Sequence, residues 1–314
     1  MQKTALIIGG SGFVGGYLAE ELKADYCVHV TCYGEAKQDG DIETHCLNIL
    51  EKDEVLRIID AVKPDCIFHL AAQSSVSYSW ENPQLTVDVN IKGTLNLLEA
   101  VRKTGLNPRI LLIGSGEEYG YISENSCPIS ENEPLRPANI YAVTKACQEM
   151  IGGIYCKTYG MDIITVRAFN HIGPKQSERF VASDFCRQTA EIELGMRDSI
   201  SVGNLSARRD FSDVRDVVKA YGMLMETGKS GQCYNVGSGK AISISELLKL
   251  ITDKSTAKIS IVPDIKRQRP SDIPLIKADI SRIVRDTGWS PYIKTEKTVE
   301  DMLNYWRGVL KCQD

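Results

Sequence analysis

Lys3-Thr-Ala-Leu-Ile-Ile-Gly9-Gly-Ser-Gly12-Phe-Val-Gly15 decides how this 314-residue chain is read. An apolar run (residues 4–8) ends in glycines spaced G-x-x-G-x-x-G, and helical spacing begins at once (residues 13–23). Glycines permit a tight turn and close backbone approach to a pyrophosphate. The helix that follows offers free N–H groups and the positive end of its dipole. A glycine triplet alone is a weak signal. Between a strand and a helix at the start of a chain it predicts a dinucleotide cradle, with Gly9, Gly12, Phe13, Val14 and Gly15 facing the cofactor.

The same alternation continues outward. Residues 27–32 read as a strand, 51–62 as a helix, 66–72 as a buried strand and 87–103 as a long amphipathic helix. A strand follows at 109–114, a helix at 140–159 and a strand at 162–169. Short apolar strands separated by helices predict an α/β fold with a doubly wound parallel sheet. After about residue 170 Pro, Gly, Arg and Ser become denser, interrupted by one regular helix (214–226). The expected organisation is a cofactor domain over 1–170, rejoined by the chain around 212–230, and a smaller α/β substrate domain over 171–314.

Composition limits the function. Lys plus Arg number 37 against 41 Asp plus Glu, a net charge of −4, which argues against a nucleic-acid binder. No apolar run approaches the ~20 residues that span a bilayer, and glycines interrupt the N-terminus too early for a signal peptide. The ten cysteines are scattered, with no Cys-x-x-Cys and no histidine spacing to match. They read as reduced thiols of a cytoplasmic protein, and no metal is expected.

An NAD site normally carries Asp or Glu at the end of its second strand. Here Gly34 stands in that place, with Glu35 and Lys37 beyond; Lys37 suits a 2′-phosphate and Glu35 a hydroxyl. NADP is therefore favoured, with NAD the alternative. Asn48 and Ile49, after the next short strand, flank the adenine.

Tyr141-Ala-Val-Thr-Lys145 sets a phenol and an ammonium one helical turn apart on one face. An ammonium beside a phenol lowers its pKa and fits it for proton transfer. A second Tyr-x-x-x-Lys, Tyr33 to Lys37, falls in a polar loop. Tyr141 lies downstream of the middle strands and of Ser115, at a strand's C-terminal end, where such sheets bind ligands.

These residues resemble the extended short-chain dehydrogenase/reductase family of nucleotide-sugar enzymes along essentially the whole chain. Phe68-His-Leu-Ala-Ala-Gln73, Asn90-Ile-Lys-Gly-Thr94 and Arg167-Ala-Phe-Asn170 add to the resemblance. It implies a Rossmann domain with a substrate domain, and a homodimer through the helices at 87–103 and 140–159. Ser115, Tyr141 and Lys145 match the family's catalytic triad, and Leu70, Ala71, Ala72 and Asn90 match cofactor positions. Within the family, Asn170-His-Ile-Gly-Pro, Phe180-Val-Ala-Ser-Asp-Phe, Gly203-Asn-Leu-Ser-Ala-Arg-Arg-Asp and Arg269-Pro-Ser-Asp272 resemble the GDP-mannose branch. That branch implies NAD(P)H-dependent reduction of the C4 ketone of a GDP-4-keto-6-deoxyhexose. GDP-mannose 4,6-dehydration is the alternative, and 4-epimerisation of a nucleotide sugar comes after it.

The chemistry assigns further candidates. A diphosphate needs cations, and Arg208, Arg209 and Arg269 lie in second-half loops. Asp184 has the acceptors for guanine N1–H and N2–H. Asn170 suits the diphosphate or hexose, and the resemblance adds Val181, Asn204 and Asp272. Glu117 stands where the family's dehydratases keep a carboxylate. A second acid that some dehydratases carry is replaced here by Gly116.

Overall fold

The computed structural model describes residues 2–34, 42–267 and 273–312. The first half runs β1 (Lys3–Ile8), α1 (Phe13–Leu22), β2 (Tyr26–Cys32), β3 (Glu43–Cys46), α2 (Lys52–Val62), β4 (Cys66–His69), α3 (Val76–Glu81), α4 (Pro83–Val87), α5 (Gly93–Thr104), β5 (Arg109–Ser115), α6 (Ile140–Tyr159) and β6 (Ile163–Ala168). The second half runs β7 (Asn170–Ile172), α7 (Val181–Glu193), β8 (Ser199–Val202), β9 (Arg208–Asp213), α8 (Val214–Thr227), β10 (Cys233–Val236), β11 (Ala241–Ser243), α9 (Ile244–Thr252), β12 (Ser260–Pro263), β13 (Leu275–Ile276), α10 (Ser281–Thr287) and α11 (Thr295–Lys311).

Seven strands form one parallel sheet in the order β10-β6-β5-β4-β1-β2-β3. The chain moves one way from β1 through β2 and β3, then the other way through β4, β5 and β6. The strand order therefore reverses beside β1, and a crevice opens at the C-terminal ends of β1 and β4. The fold is the expected Rossmann-like doubly wound sheet. Both faces are apolar, as a sheet sandwiched between helices requires. Ala5, Ile7, Val28, Val30, Phe68 and Leu111 pack towards α1 and α8. Leu6, Ile8, Ile67, Ile110 and Leu112 pack on the opposite face, where α2 and α5 cover them.

A third core joins α7, α9 and α11 through Phe185, Leu247, Leu248, Val299, Met302 and Leu303. Beside it β11, β9 and β13 make a small sheet to which β7 adds on β9. From this second half α8 and β10 return to the large sheet, β10 pairing with β6.

The second half holds more regular helix than the one expected over 214–226: α7, α9 and α11 run 13, 9 and 17 residues and pack their apolar faces into the third core. Two elements of the first half also differ from the sequence expectation. The strand expected over 66–72 stops at His69, because the Leu70 and Ala71 N–H groups both turn to the Ile8 carbonyl, at 2.9 and 2.8 Å. The helix expected over 87–103 is broken by a π-helical turn, Asp88–Lys92. Asn90 sits inside that turn, wholly buried, and its amide bonds Gln73 O at 3.1 Å and Thr144 Oγ1 at 2.8 Å. Gly93 then lies so close to Ile49 that a Cβ would come within 2.9 Å of its side chain. Hydropathy spacing registers neither constraint.

Candidate active site

The glycine loop is shaped by what surrounds it. Gly9 has φ +86°, and a Cβ there would lie 2.7 Å from Ala71 N. A Cβ on Gly15 would lie 2.4 Å from Gly10 O. Thr31, at the end of β2, accepts the Gly9 N–H at 2.9 Å and fixes the loop's first residue. Gly12 begins α1 with no side-chain cap, and the first turn carries no acid. The first-turn N–H groups are thus left for an anion, as a pyrophosphate cradle requires.

This loop floors a cavity of about 710 Å³ at the C-terminal ends of the central strands. Gly9, Gly12, Phe13, Val14, Gly15, Asn48, Ile49, Leu70, Ala71 and Ala72 all line it. So do Ser115, Glu117, Tyr141, Lys145, Asn170 and Val181. Asn90 lies behind the wall and shapes it: its Oδ1 accepts the Gln73 N–H at 2.8 Å. The end of β2 contributes Thr31, Cys32 and Tyr33 to the lining, with no carboxylate among them. Glu35 and Lys37 fall outside the described residues, as do Arg269 and Asp272.

Ser115 closes β5 and caps the short turn Gly116–Tyr119 that follows. Its Oγ accepts the Glu117 N–H at 3.2 Å, and its own N–H donates to Glu118 Oε1 at 2.6 Å. Glu118 is fully buried, and it fits only because residue 114 is glycine; a Cβ there would lie 2.4 Å from Glu118 Oε1. Burial and the nearby Glu149 carboxylate hold the Glu118 acid well above the ordinary range. Behind it Arg167 pairs with Glu149 at 2.6 Å and donates to the Tyr119 hydroxyl at 2.9 Å. Ser115 therefore rests on a buried polar scaffold.

Tyr141 and Lys145 both face the cavity from α6, but the lysine does not act on the phenol as the sequence suggested. Lys145 Nζ donates to Ile113 O at 2.6 Å and to Gln148 Oε1 at 3.1 Å. Burial lowers its pKa to about 8. The Tyr141 phenol is raised above its ordinary pKa by burial; the nearby Ser115 hydroxyl draws it down, and Glu118 and Glu117 push it up. The resting phenol is thus a protonated acid. On the opposite wall Tyr221, from α8, is fully buried, and its hydroxyl has no hydrogen-bond partner among the described residues.

Glu117 Oε2 accepts from Asn139 Nδ2 at 3.1 Å, at the cavity's edge. A Cβ on Gly116 would meet the Phe169 ring at 3.2 Å, so Phe169 occupies the direction a second acid would take.

Of the polar candidates described in the second half, Asn170 lines the cavity, whereas Asp184, Asn204, Arg208 and Arg209 lie outside its lining. Arg209 is buried in β9 and donates to Ile273 O at 2.6 Å. Arg208 is exposed and reaches Ala241 O at 3.3 Å. Asn204 Oδ1 accepts the Ser206 hydroxyl at 2.7 Å. The Asp184 carboxylate is buried, accepts from Gln188 at 2.7 Å and pairs with Arg267. The cation that does line the cavity is Arg179, in the loop before α7, with His171 and Gln176 nearby. Sequence reading passed over Arg179; its one signal was its place just before the α7 start at Phe180-Val181.

Comparison with known proteins agrees with this geometry. The family model for GDP-mannose 4,6 dehydratase matches residues 6–302. A GDP-6-deoxy-D-mannose reductase from Pseudomonas aeruginosa is 33% identical, covering 98% of both chains. A GDP-mannose 4,6-dehydratase from Yersinia enterocolitica is 29% identical over 96% of this chain and 93% of its own. A structure of RMD from Pseudomonas aeruginosa complexed with NADPH superposes with a TM-score of 0.87 at 32% identity, covering 98% of this chain and 99% of that one.

Proposed function

The chain belongs to the GDP-mannose 4,6 dehydratase family, and from that premise we propose that it reduces the C4 ketone of GDP-4-keto-6-deoxy-D-mannose to GDP-D-rhamnose. The observation that carries this reading is the Tyr141 phenol, which shares the cavity with Ser115 and the glycine loop and is held protonated by burial. A reductase starts with an acid. An epimerase or dehydratase starts by oxidising its sugar and needs the same tyrosine as a base.

The residues present fit a dinucleotide. The uncapped α1 N-terminus, the glycines that admit no Cβ and the orphan Tyr221 hydroxyl all open on the cavity. We assign NADPH, since Thr31, Cys32 and Tyr33, the described residues that line the cavity at the end of β2, include no carboxylate to repel a 2′-phosphate, and the similar Pseudomonas aeruginosa structure holds NADPH; NAD is the alternative. When bound, the nicotinamide supplies the hydride.

The chain's own residues do the rest. Ser115 holds the ketone oxygen by a hydrogen bond, and Tyr141 gives it a proton as charge develops there. Lys145, anchored on the Ile113 carbonyl and the Gln148 amide oxygen, keeps one N–H that would serve the cofactor ribose. Arg179 faces the diphosphate, with Asn170 beside the hexose.

The rest of the proposal concerns organisation. The cofactor half comprises residues 1–170 with α8 and β10, and the remainder forms the substrate half. Val143, Met150 and Ile154 form an exposed apolar stripe on α6, which supports pairing with a second copy of the chain through this face. Among the described residues no helix is long and apolar enough to cross a membrane. Ten free thiols support a reducing, cytoplasmic setting.

Incubation with GDP-4-keto-6-deoxymannose and NADPH carrying deuterium at its transferable position tests the reading. Deuterium at C4 of a D-rhamno product, assigned by NMR, supports it. A product without deuterium overturns it.

A further inference from the structure

At the outer edge of the large sheet, β2 and β3 run parallel with His29 opposite Glu43 and Thr31 opposite His45. This register puts His29, Glu43 and His45 on one face of the ladder, since alternate residues share a face. Their donor atoms converge. His29 Nδ1 lies 3.0 Å from His45 Nε2, one Glu43 oxygen 3.5 Å from His29 Nδ1, and the other 3.7 Å from His45 Nε2. We propose that these three side chains form a binding site for a divalent transition-metal ion, Zn²⁺ foremost, separate from the active-site cavity.

The donors lie within about 0.4 Å of the spacing of ligands sharing one ion, and the two histidine nitrogens would move apart by about 0.3 Å to admit it. Two donors each roughly 2.0–2.1 Å from a tetrahedral ion lie about 3.3–3.4 Å apart. Two imidazoles and a carboxylate are a donor set that zinc accepts, leaving a fourth position for water. The two histidine rings are nearly parallel, at 17°, and present nitrogen lone pairs edge to edge. Only one proton fits between those nitrogens, and an ion that displaces it satisfies both. His29 also has an outer contact that orients it: its other nitrogen, Nε2, lies 3.7 Å from Cys27 Sγ, two residues back on the same face. Metal-binding histidines usually have that second nitrogen held by an acceptor. The histidine side chains are mostly covered, at 14% and 21% exposure, whereas Glu43 is 61% exposed and offers the ion a way in.

None of the three lines the catalytic cavity, but the strands they sit on do. Cys32, three residues beyond His29, and Leu47, two beyond His45, both belong to its wall. β3 is the outermost strand and is held by β2 alone. An ion at this site would staple the edge strand to the sheet just before the cavity wall begins. His29 and His45 are 16 residues apart, so no short ligand spacing reveals the cluster.

The test titrates Zn²⁺ into the metal-free, reduced full-length chain against a chromophoric chelator. His29→Gln, His45→Gln and Glu43→Gln run in parallel, with circular dichroism checking their fold. The expected result is one ion per chain at micromolar Kd or tighter. Affinity falls at least ~10-fold in Glu43→Gln, whose exposed side chain leaves folding intact, and further in each histidine variant. Zinc raises the Tm of the wild type and leaves that of Glu43→Gln unchanged. Affinity equal to wild type in all three variants overturns the proposal. So does a cobalt-loaded chain whose spectrum shows thiolate charge transfer, which would place the ion on cysteines.

Discussion

Replacing Tyr141 with phenylalanine removes one oxygen and isolates the proposed acid step. The ring stays packed in a site where the residue is only 8% exposed, so the cavity keeps its shape. What is lost is the hydroxyl beside Ser115 and the proton it delivers. A positioned general acid contributes ~10²–10⁴ in rate, about 2.7–5.4 kcal/mol of barrier. Ser115 remains to hydrogen-bond the ketone oxygen, so the loss should sit in the lower half of that range, about 10²–10³ in kcat. NADPH affinity should change by less than ~3-fold, because the phosphate cradle is built from the glycine loop on α1, not from α6. The phenol is raised above its usual pKa, so wild-type kcat should be flat between about pH 6 and 9. Stopped-flow reduction of the keto sugar over a range of NADPH concentrations and pH measures all three quantities. Turnover within ~5-fold of wild type would refute the assignment. So would a wild-type kcat that falls between about pH 7 and 9 through an ionisation that Tyr141→Phe abolishes.

Other perturbations separate the remaining parts of the account. Glu117→Gln should leave ketone reduction within ~3-fold, since reduction abstracts no C5 proton; a loss of ~10² or more would point to dehydration chemistry. Gly15→Ala drives a Cβ to 2.4 Å from Gly10 O, so NADPH binding, read by fluorescence titration, should weaken at least ~30-fold with the helical signal retained. His69 is buried beside Thr94, and burial pushes its pKa down to about 3. Its ring stays neutral in the folded chain while the unfolded chain takes up a proton below about 6.5, so it costs stability as pH falls from there towards 3, at up to ~1.4 kcal/mol per unit. Denaturant unfolding of His69→Gln should therefore show a shallower decline between about pH 6.5 and 4 than wild type, and parallel declines would contradict the burial account.

The cofactor half was largely legible because its constraints are local. A glycine needed for φ +86° beside Ala71, or for contact with Gly10, has to appear as glycine in the sequence. Tyr141 and Lys145 share a face because any helix would put them there. The lysine's partner was not legible. Ile113 O lies 32 residues away, and only the packing of α6 on β5 shows that the ammonium turns to a carbonyl instead of to the phenol. The second half was harder, because its strands are two to six residues long and carry little periodicity. Arg208 and Arg209 are adjacent and chemically equivalent on paper. Strand alternation exposes the first and buries the second against Ile273 O. Asp184 looked free for guanine, but the fold supplies Gln188 and Arg267 to its carboxylate. Arg179, which does reach the cavity, sits in a loop that no pattern marks.

The central claim is tested most directly by absorbance at 340 nm with NADPH and either GDP-4-keto-6-deoxymannose or GDP-mannose. The account predicts stoichiometric NADPH oxidation with the keto sugar and none with GDP-mannose. Loss of water from GDP-mannose with no net change in NADPH, alongside an inert keto sugar, would contradict it and make the chain a dehydratase working through Glu117.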